Sequence, residues 1–130
     1  MSIDFENTQV ATDSLEIVEV LHDRGERLHG HFRVLGDERR LEIVGWALGV
    51  EQAATEVVVV ADGARAAVSP VDGERPDVAE KYPDLPAAAG CGFRIELAGE
   101  GQGESLLELF AVLEDETHEP LGRIRCRSRS

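Results

Sequence analysis

The chain reads as an all-β protein, an antiparallel β-sandwich of about seven to eight strands with one short helical turn near residues 77–82. Three observations carry that reading. Short segments of period-two or continuous β-branched character recur every 8 to 15 residues, glycine- and aspartate-bearing turn sequences separate them, and only one stretch has helix-start chemistry. Leu15 to Leu21 is short and rich in β-branched residues, as strands are. Asp23-Arg24-Gly25-Glu26 then turns the chain. From Leu28 to Leu35, Leu28, Phe32 and Val34 fall on one side and His29, His31 and Arg33 on the other, before a turn at Gly36-Asp37. Leu41 to Leu48 follows as the next strand.

Thr55 to Ala61 contains four consecutive valines, the pattern of a strand at the centre of a sheet or buried on both faces. Asp62-Gly63 is the strongest hairpin signal in the chain, and Ala64 to Ser69 is placed to pair back across it. Pro70 to Gly92 breaks the pattern, holding four of the five prolines and the only tyrosine. Within it, Asp77-Val78-Ala79-Glu80 has capping-box spacing, which predicts a helical turn from about Val78 to Lys81, capped by Asp77 and stopped at Tyr82-Pro83. Strand character resumes with Phe93, Ile95 and Leu97, continues from Leu106 to Leu113, and ends with Leu121 to Cys126, where Ile124 and Cys126 alternate with Arg123, Arg125 and Arg127. Leu106, Leu109, Phe110 and Leu113 also fit helical spacing, but the glycine-rich flank and the following strand favour a strand.

At 130 residues this is one domain, long enough to bury a core without a metal or disulfide staple. Residues 1–14 read as a frayed leader, 15–127 as the sandwich and 128–130 as the end of a basic tail. The balance of 26 acidic against 13 basic side chains, a net charge of −13, repels phosphate backbones and anionic headgroups. It argues against nucleic acid as a partner. No stretch reaches the roughly 20 apolar residues of a membrane span, and the first residues lack an export signal, so a cytoplasmic location without membrane insertion is expected. Cys91 and Cys126 are too few for a disulfide scaffold and read as small buried hydrophobes.

The order Gly45-Trp46-Ala47-Leu48, then a valine-rich strand ending in Asp62-Gly63, then Arg75-Pro76-Asp77-Val78-Ala79 with Tyr82-Pro83, and finally Cys91-Gly92-Phe93, resembles an immunoglobulin-like β-sandwich module that accompanies bacterial glycosyltransferases and other cell-envelope polysaccharide enzymes. The resemblance spans about residues 41 to 125. It implies an immunoglobulin-like sandwich and a non-catalytic accessory role, with chemistry supplied by a separate domain or partner. The implied partners are a glycosyltransferase or other polysaccharide enzyme and a glycan.

The residues themselves nominate Trp46, Arg75, Asp77 and Tyr82 as candidate ligand contacts. A lone tryptophan in a sandwich strand belongs to the core or a sheet face, or offers a stacking platform for a sugar ring. Parity leaves these open, because Glu42, Val44, Trp46 and Leu48 share one face and Leu41, Ile43, Gly45 and Ala47 the other. Arg75-Pro76-Asp77 reads first as a loop staple in which Arg75 pairs with a carboxylate or loop carbonyls. Polar groups on such a loop beside Tyr82 are also what saccharide recognition uses. A docking module would instead present a patch such as Arg123, Arg125, Arg127 and Arg129.

Neither catalytic residues nor a cofactor are identified. All 26 acids and nine of the 13 basic residues precede Arg123, whereas the last eight residues hold four arginines and no acid. Those arginines are expected to meet an acidic partner or the acidic face of the chain's own sheet. The rival from another class is a small metal-dependent hydrolase built on His29 and His31, which project from one side of a strand and need a third ligand from His118 or a carboxylate. Cys91 between two glycines suggests tight packing and not a nucleophile. Gly99, Gly101 and Gly103 alternate with Glu100, Gln102 and Glu104, a hairpin loop that would repel phosphate. A spacer domain with no ligand is the third reading.

Overall fold

A computed structural model of the chain describes residues 15–36, 40–98 and 103–128. The predicted leader, Asp37, residues 99–102 of the glycine-rich loop and Arg129 lie outside the described residues. Eight strands form in the predicted order: β1 (Leu15–Leu21), β2 (Leu28–Gly36), β3 (Arg40–Gly49), β4 (Ala54–Ala61), β5 (Ala64–Pro70), β6 (Gly92–Ala98), β7 (Gly103–Leu113) and β8 (His118–Ser128). They make two antiparallel sheets, one ordered β1-β8-β7-β4-β5 and the other β2-β3-β6. The molecule is an all-β sandwich.

Its core is the set of inward positions that strand alternation selects. Leu28, Phe32, Leu41, Ile43, Ala47 and Ile95 of the small sheet pack on Val57, Val59, Leu107, Leu109, Leu113 and Ile124 of the large one. The β7 segment settles its ambiguity by period: Leu107, Leu109, Ala111 and Leu113 are buried while Leu106, Glu108 and Phe110 are only half-buried, an alternation that excludes a helix. Val57, Val58 and Val59 are all buried because β4 lies between β7 and β5. At the predicted hairpin Asp62 and Gly63 have φ of +50° and +89°, the left-handed pair that a tight turn matched to strand twist requires.

Gly45 answers a close approach within the core. It faces Phe32 on β2 and Phe93 on β6, and a Cβ there would sit 2.8 Å from Phe32 Cα and collide with the His31 carbonyl. The glycine lets two phenyl rings flank it from neighbouring strands.

The crossover from β5 to β6 departs from expectation in two ways. Helix α1 spans Pro76–Lys81, so it starts before Val78, and Arg75 occupies the cap position without a side-chain cap bond. Asp77 therefore does not cap. It lies inside the first turn, where its carboxylate accepts from Arg75 Nε at 3.0 Å and Arg75 Nη2 at 2.7 Å. Pro76 explains the earlier start, since its fixed φ suits the first helical position and its missing N–H needs no acceptor. A 3-10 helix at Pro86–Gly90, unforeseen in the sequence reading, follows it.

Candidate functional site

The outer face of the small sheet carries the candidate residues. Register places them in rows across β2, β3 and β6: Arg33, Val44 and Arg94 in one, His31, Trp46 and Gly92 in the next. Beyond these, His29 stands beside Leu48. Glu42, Val44, Trp46 and Leu48 thus face away from the main core, and the alternation left open by sequence is decided by which side of β3 meets the large sheet.

The crossover then covers one end of this face. Leu48, Val78, Ala88 and Cys91 form a second small core, with Trp46, Tyr82 and Leu85 packed against it. Main-chain bonds hold the covering segment down: Gly73 and Gly92 exchange two of 2.9 Å, Arg75 N donates to Ala89 O at 2.8 Å, and Ala47 N donates to Cys91 O at 2.9 Å. Gly92 is needed for this, because a Cβ would lie 3.0 Å from Gly73 O and 3.1 Å from Arg75 Cγ. The Arg75 stem consequently runs over Gly92, the β6 partner of Trp46, where that row offers no β6 side chain.

Trp46 is left half-buried, with a cleft on each side. The first, about 480 Å³, lies between the sheet and the 69–75 segment and is bordered by Arg33, Arg75, Arg94, Asp72 and Glu74. The second, about 400 Å³, lies between β2 and α1 and is bordered by Arg24, His29, His31, Lys81, Tyr82 and Asp77. Both fall in the size range of small-ligand pockets. A third cleft of about 430 Å³, between Leu48–Ala53 and the start of the 3-10 helix, contains neither tryptophan nor tyrosine.

Tyr82 reaches this face because α1 ends there. Its N–H donates to Val78 O at 2.9 Å, Pro83 prevents another turn, and the ring stacks on His29 at 4.5 Å while tilting toward Trp46 at 6.1 Å. Lys81 Nζ stands 5.6 Å from the Tyr82 ring centre. Neither the Trp46 indole N–H nor the Tyr82 hydroxyl is hydrogen-bonded to a described residue. These two polar tips sit on a shared aromatic surface, open to a ligand.

All four nominated residues therefore converge, although their roles differ. Trp46 and Tyr82 form the surface. Arg75 and Asp77 first serve each other: the Asp77 contact raises the Arg75 guanidinium above its ordinary pKa, and the Arg75 hydrogen bonds hold the Asp77 carboxyl below its own. Arg75 borders the first cleft and Asp77 the second, so this ion pair closes the face between them.

The histidine pair is engaged differently from a metal site. His29 stacks on Tyr82, whereas His31 stacks on His22 at 4.8 Å with the planes 13° apart. His22 also leans on Phe32 at 4.5 Å. Burial, then the neighbouring His31 and Arg24 charges, push the His22 pKa down. Among the described residues no three histidine, cysteine, aspartate or glutamate side chains are grouped to hold a metal ion. His118 lies elsewhere, edge-on to Phe110 at 6.5 Å.

Both cysteines are buried and free. Cys91 Sγ donates to Ala88 O at 3.1 Å, and burial pushes both thiols up in pKa, the opposite of what a nucleophilic thiolate requires. No helix among the described residues is long and apolar enough to cross a membrane.

Several residues of this face were not singled out by sequence, namely His22, Arg24, Arg33 and Arg94. A signal existed for one of them, Arg33. Once the β2–β3 hairpin is known to pair Gly36 with Leu41, counting back puts His31 opposite Trp46 and Arg33 opposite Val44. Arg94 reaches the face through β3–β6 pairing across about 50 residues, which no local pattern encodes. Comparison of the chain with protein-family models, curated proteins and solved structures finds no match.

Proposed function

We propose that this chain is a non-catalytic saccharide-recognition module, an accessory to a bacterial glycosyltransferase or other polysaccharide-synthesising enzyme that supplies the chemistry from a separate domain or partner. The observation that carries the reading is the half-buried Trp46 ring with a cleft on each side and Tyr82 at its edge. A pyranose offers one apolar C–H face and a rim of hydroxyls. An aromatic surface bordered by unpaired donors and carboxylates complements both features.

Docking of a partner through the arginine row has less support. Arg123 pairs with Asp23 at 2.8 Å, Arg125 with Glu19 at 3.4 Å, and Arg127 with Glu16 and Glu104 at 3.4 and 3.1 Å. The row meets the acidic face of its own sheet, one of the two arrangements expected for it.

An oligosaccharide array followed by calorimetric titration tests the proposal. The native chain is expected to bind at least one oligosaccharide, Trp46→Ala to lose about 10- to 100-fold in affinity, as loss of one aromatic stack implies, and Trp46→Phe to keep most of it. An array without binding, or binding that Trp46→Ala leaves unchanged, overturns the reading.

A further inference from the structure

The two clefts beside Trp46 are not electrically alike. In the first, Arg75 is taken by Asp77 and Arg94 donates to Glu42 and Glu96, so that among the described residues the single unpaired cation Arg33 faces two unpaired acids, Asp72 and Glu74. In the second, the fixed cations are Arg24 and Lys81, and neither forms an ion pair with a described residue. Among the described residues the only carboxylate bordering that cleft is Asp77, and both of its oxygens accept from Arg75. His29 and His31 complete the rim. In a chain with twice as many acids as bases, this cleft is bordered, among the described residues, by two unpaired cations and no unpaired acid.

Arg24 is also held in place. Its Nη1 donates to the Gly30 carbonyl at 2.6 Å on β2, an edge strand of the small sheet, which leaves the remaining guanidinium N–H groups to point elsewhere. Its neighbour Asp23 does not compensate it, being paired with Arg123. Lys81 stands at the last turn of α1 with its ammonium near the Tyr82 ring. Aromatic floor and cationic rim thus belong to one cavity.

We infer that the cleft between β2 and α1 selects an anionic saccharide, a sugar bearing a carboxylate or phosphate, with its ring against Trp46 and Tyr82 and its charged group between Arg24 and Lys81. The inference rests on the saccharide-recognition reading of the same face. Carboxylate and phosphate share the relevant chemistry, since a guanidinium fork and an ammonium each donate several charge-assisted hydrogen bonds to either. The chain's overall negative charge does not prevent capture, because charges beyond about 8 Å are largely screened at physiological salt while close contacts inside a cleft are screened less.

Matched pairs of ligands provide the test: cellobiose against its 6′-carboxylate, glucuronyl-β-1,4-glucose, and glucose against glucose 6-phosphate, each titrated into the native chain, Trp46→Ala, Arg24→Gln, Arg24→Lys and Lys81→Gln. The charged member of at least one pair is expected to bind 10-fold or more tightly than the neutral one, with the advantage shrinking as sodium chloride is raised. Arg24→Gln and Lys81→Gln should each remove most of that advantage without changing neutral-sugar affinity, and Arg24→Lys should retain it. Preference for the carboxylate pair or for the phosphate pair identifies the source of the charge. Equal binding of charged and neutral members, lost in Trp46→Ala, overturns the anionic inference and leaves the saccharide reading standing. Binding of no ligand on the panel by a chain that binds an uncharged oligosaccharide on the array overturns the anionic inference alone, an array without any binding overturns both, and a charge preference that survives in the Arg24→Gln, Lys81→Gln double variant overturns the assignment to this cleft.

Discussion

The two outer faces of the sandwich differ in how far their cations are paired. On the large sheet, the arginines of β8 are interleaved with acids of β1, β7 and the β1–β2 connection, so Arg123, Arg125 and Arg127 each find a carboxylate. On the small sheet, Arg94 likewise pairs with Glu42 and Glu96, but Arg24, Arg33 and Lys81, which border the clefts, find no carboxylate among the described residues, and the rings of Trp46 and Tyr82 lie beside those clefts. Both faces are strands with alternating polar positions. What separates them is the neighbour: an antiparallel strand of opposite charge closes one face on itself, whereas the β5–β6 crossover covers the other only in part and leaves clefts.

The strongest way to break that difference is to release the crossover. Leu48 is 1% exposed and anchors the second core beneath α1 and the 3-10 helix. Leu48→Ala should cost about 2–5 kcal/mol in chemical denaturation. Amide exchange should also rise more across 71–92 than in β7 and β8, and saccharide affinity should fall with it. Protection that falls equally everywhere would mean that the crossover is part of the main core and not a separate cover.

Acidity probes the same face more gently. His22 closes the edge of β2 against His31 and Phe32, and its pKa is lowered in the folded chain, mainly by burial. The unfolded chain therefore binds more protons near the ordinary histidine pKa of about 6.5, so stability falls as pH drops through that value. His22→Gln should flatten the slope of stability between about pH 7 and 5.5. The lowered pKa values of Asp77 and Asp115, set chiefly by the hydrogen bonds from Arg75 and Thr117, act below the ordinary aspartate range and so in a separate window. An unchanged slope in His22→Gln would remove His22 from the account.

The smallest effect is expected on the large sheet. Arg125 and Glu19 are each more than two-fifths exposed and 3.4 Å apart, a pair worth at most about 1 kcal/mol. Arg125→Ala should shift the denaturation midpoint only slightly and leave saccharide binding untouched. A large loss of binding would show that the two faces are not independent.

Much of this architecture is legible before folding. The alternation of Phe32 with His31, or of Ile124 with Arg123 and Arg125, assigns each residue to a side, and Asp62-Gly63 states its own turn. The candidate face was legible only in part: Trp46, Arg75, Asp77 and Tyr82 do come together, but Arg24, Arg33 and Arg94 were not singled out, Asp77 pairs where a cap was expected, and the His29 and His31 rings part to different partners. Local spacing predicts what one segment can do alone. It cannot weigh an N-cap bond against a guanidinium that the chain presents from a neighbouring turn.

By itself, the sequence determined the approximate strand count, the inward and outward sets of strands such as β2 and β8, and the Asp62-Gly63 hairpin, because these depend on period, β-branching and allowed φ, which are properties of near neighbours. Only tertiary structure decided which face of β3 lies outward, that the crossover folds back over Leu48, and that Arg24 and Lys81 border the cleft beside Trp46. Those outcomes depend on contacts such as Gly73 with Gly92 and Ala47 with Cys91, made between segments about 20 to 45 residues apart. Their free energy comes from burying Leu48, Val78, Ala88 and Cys91 together, which no one of those segments achieves alone.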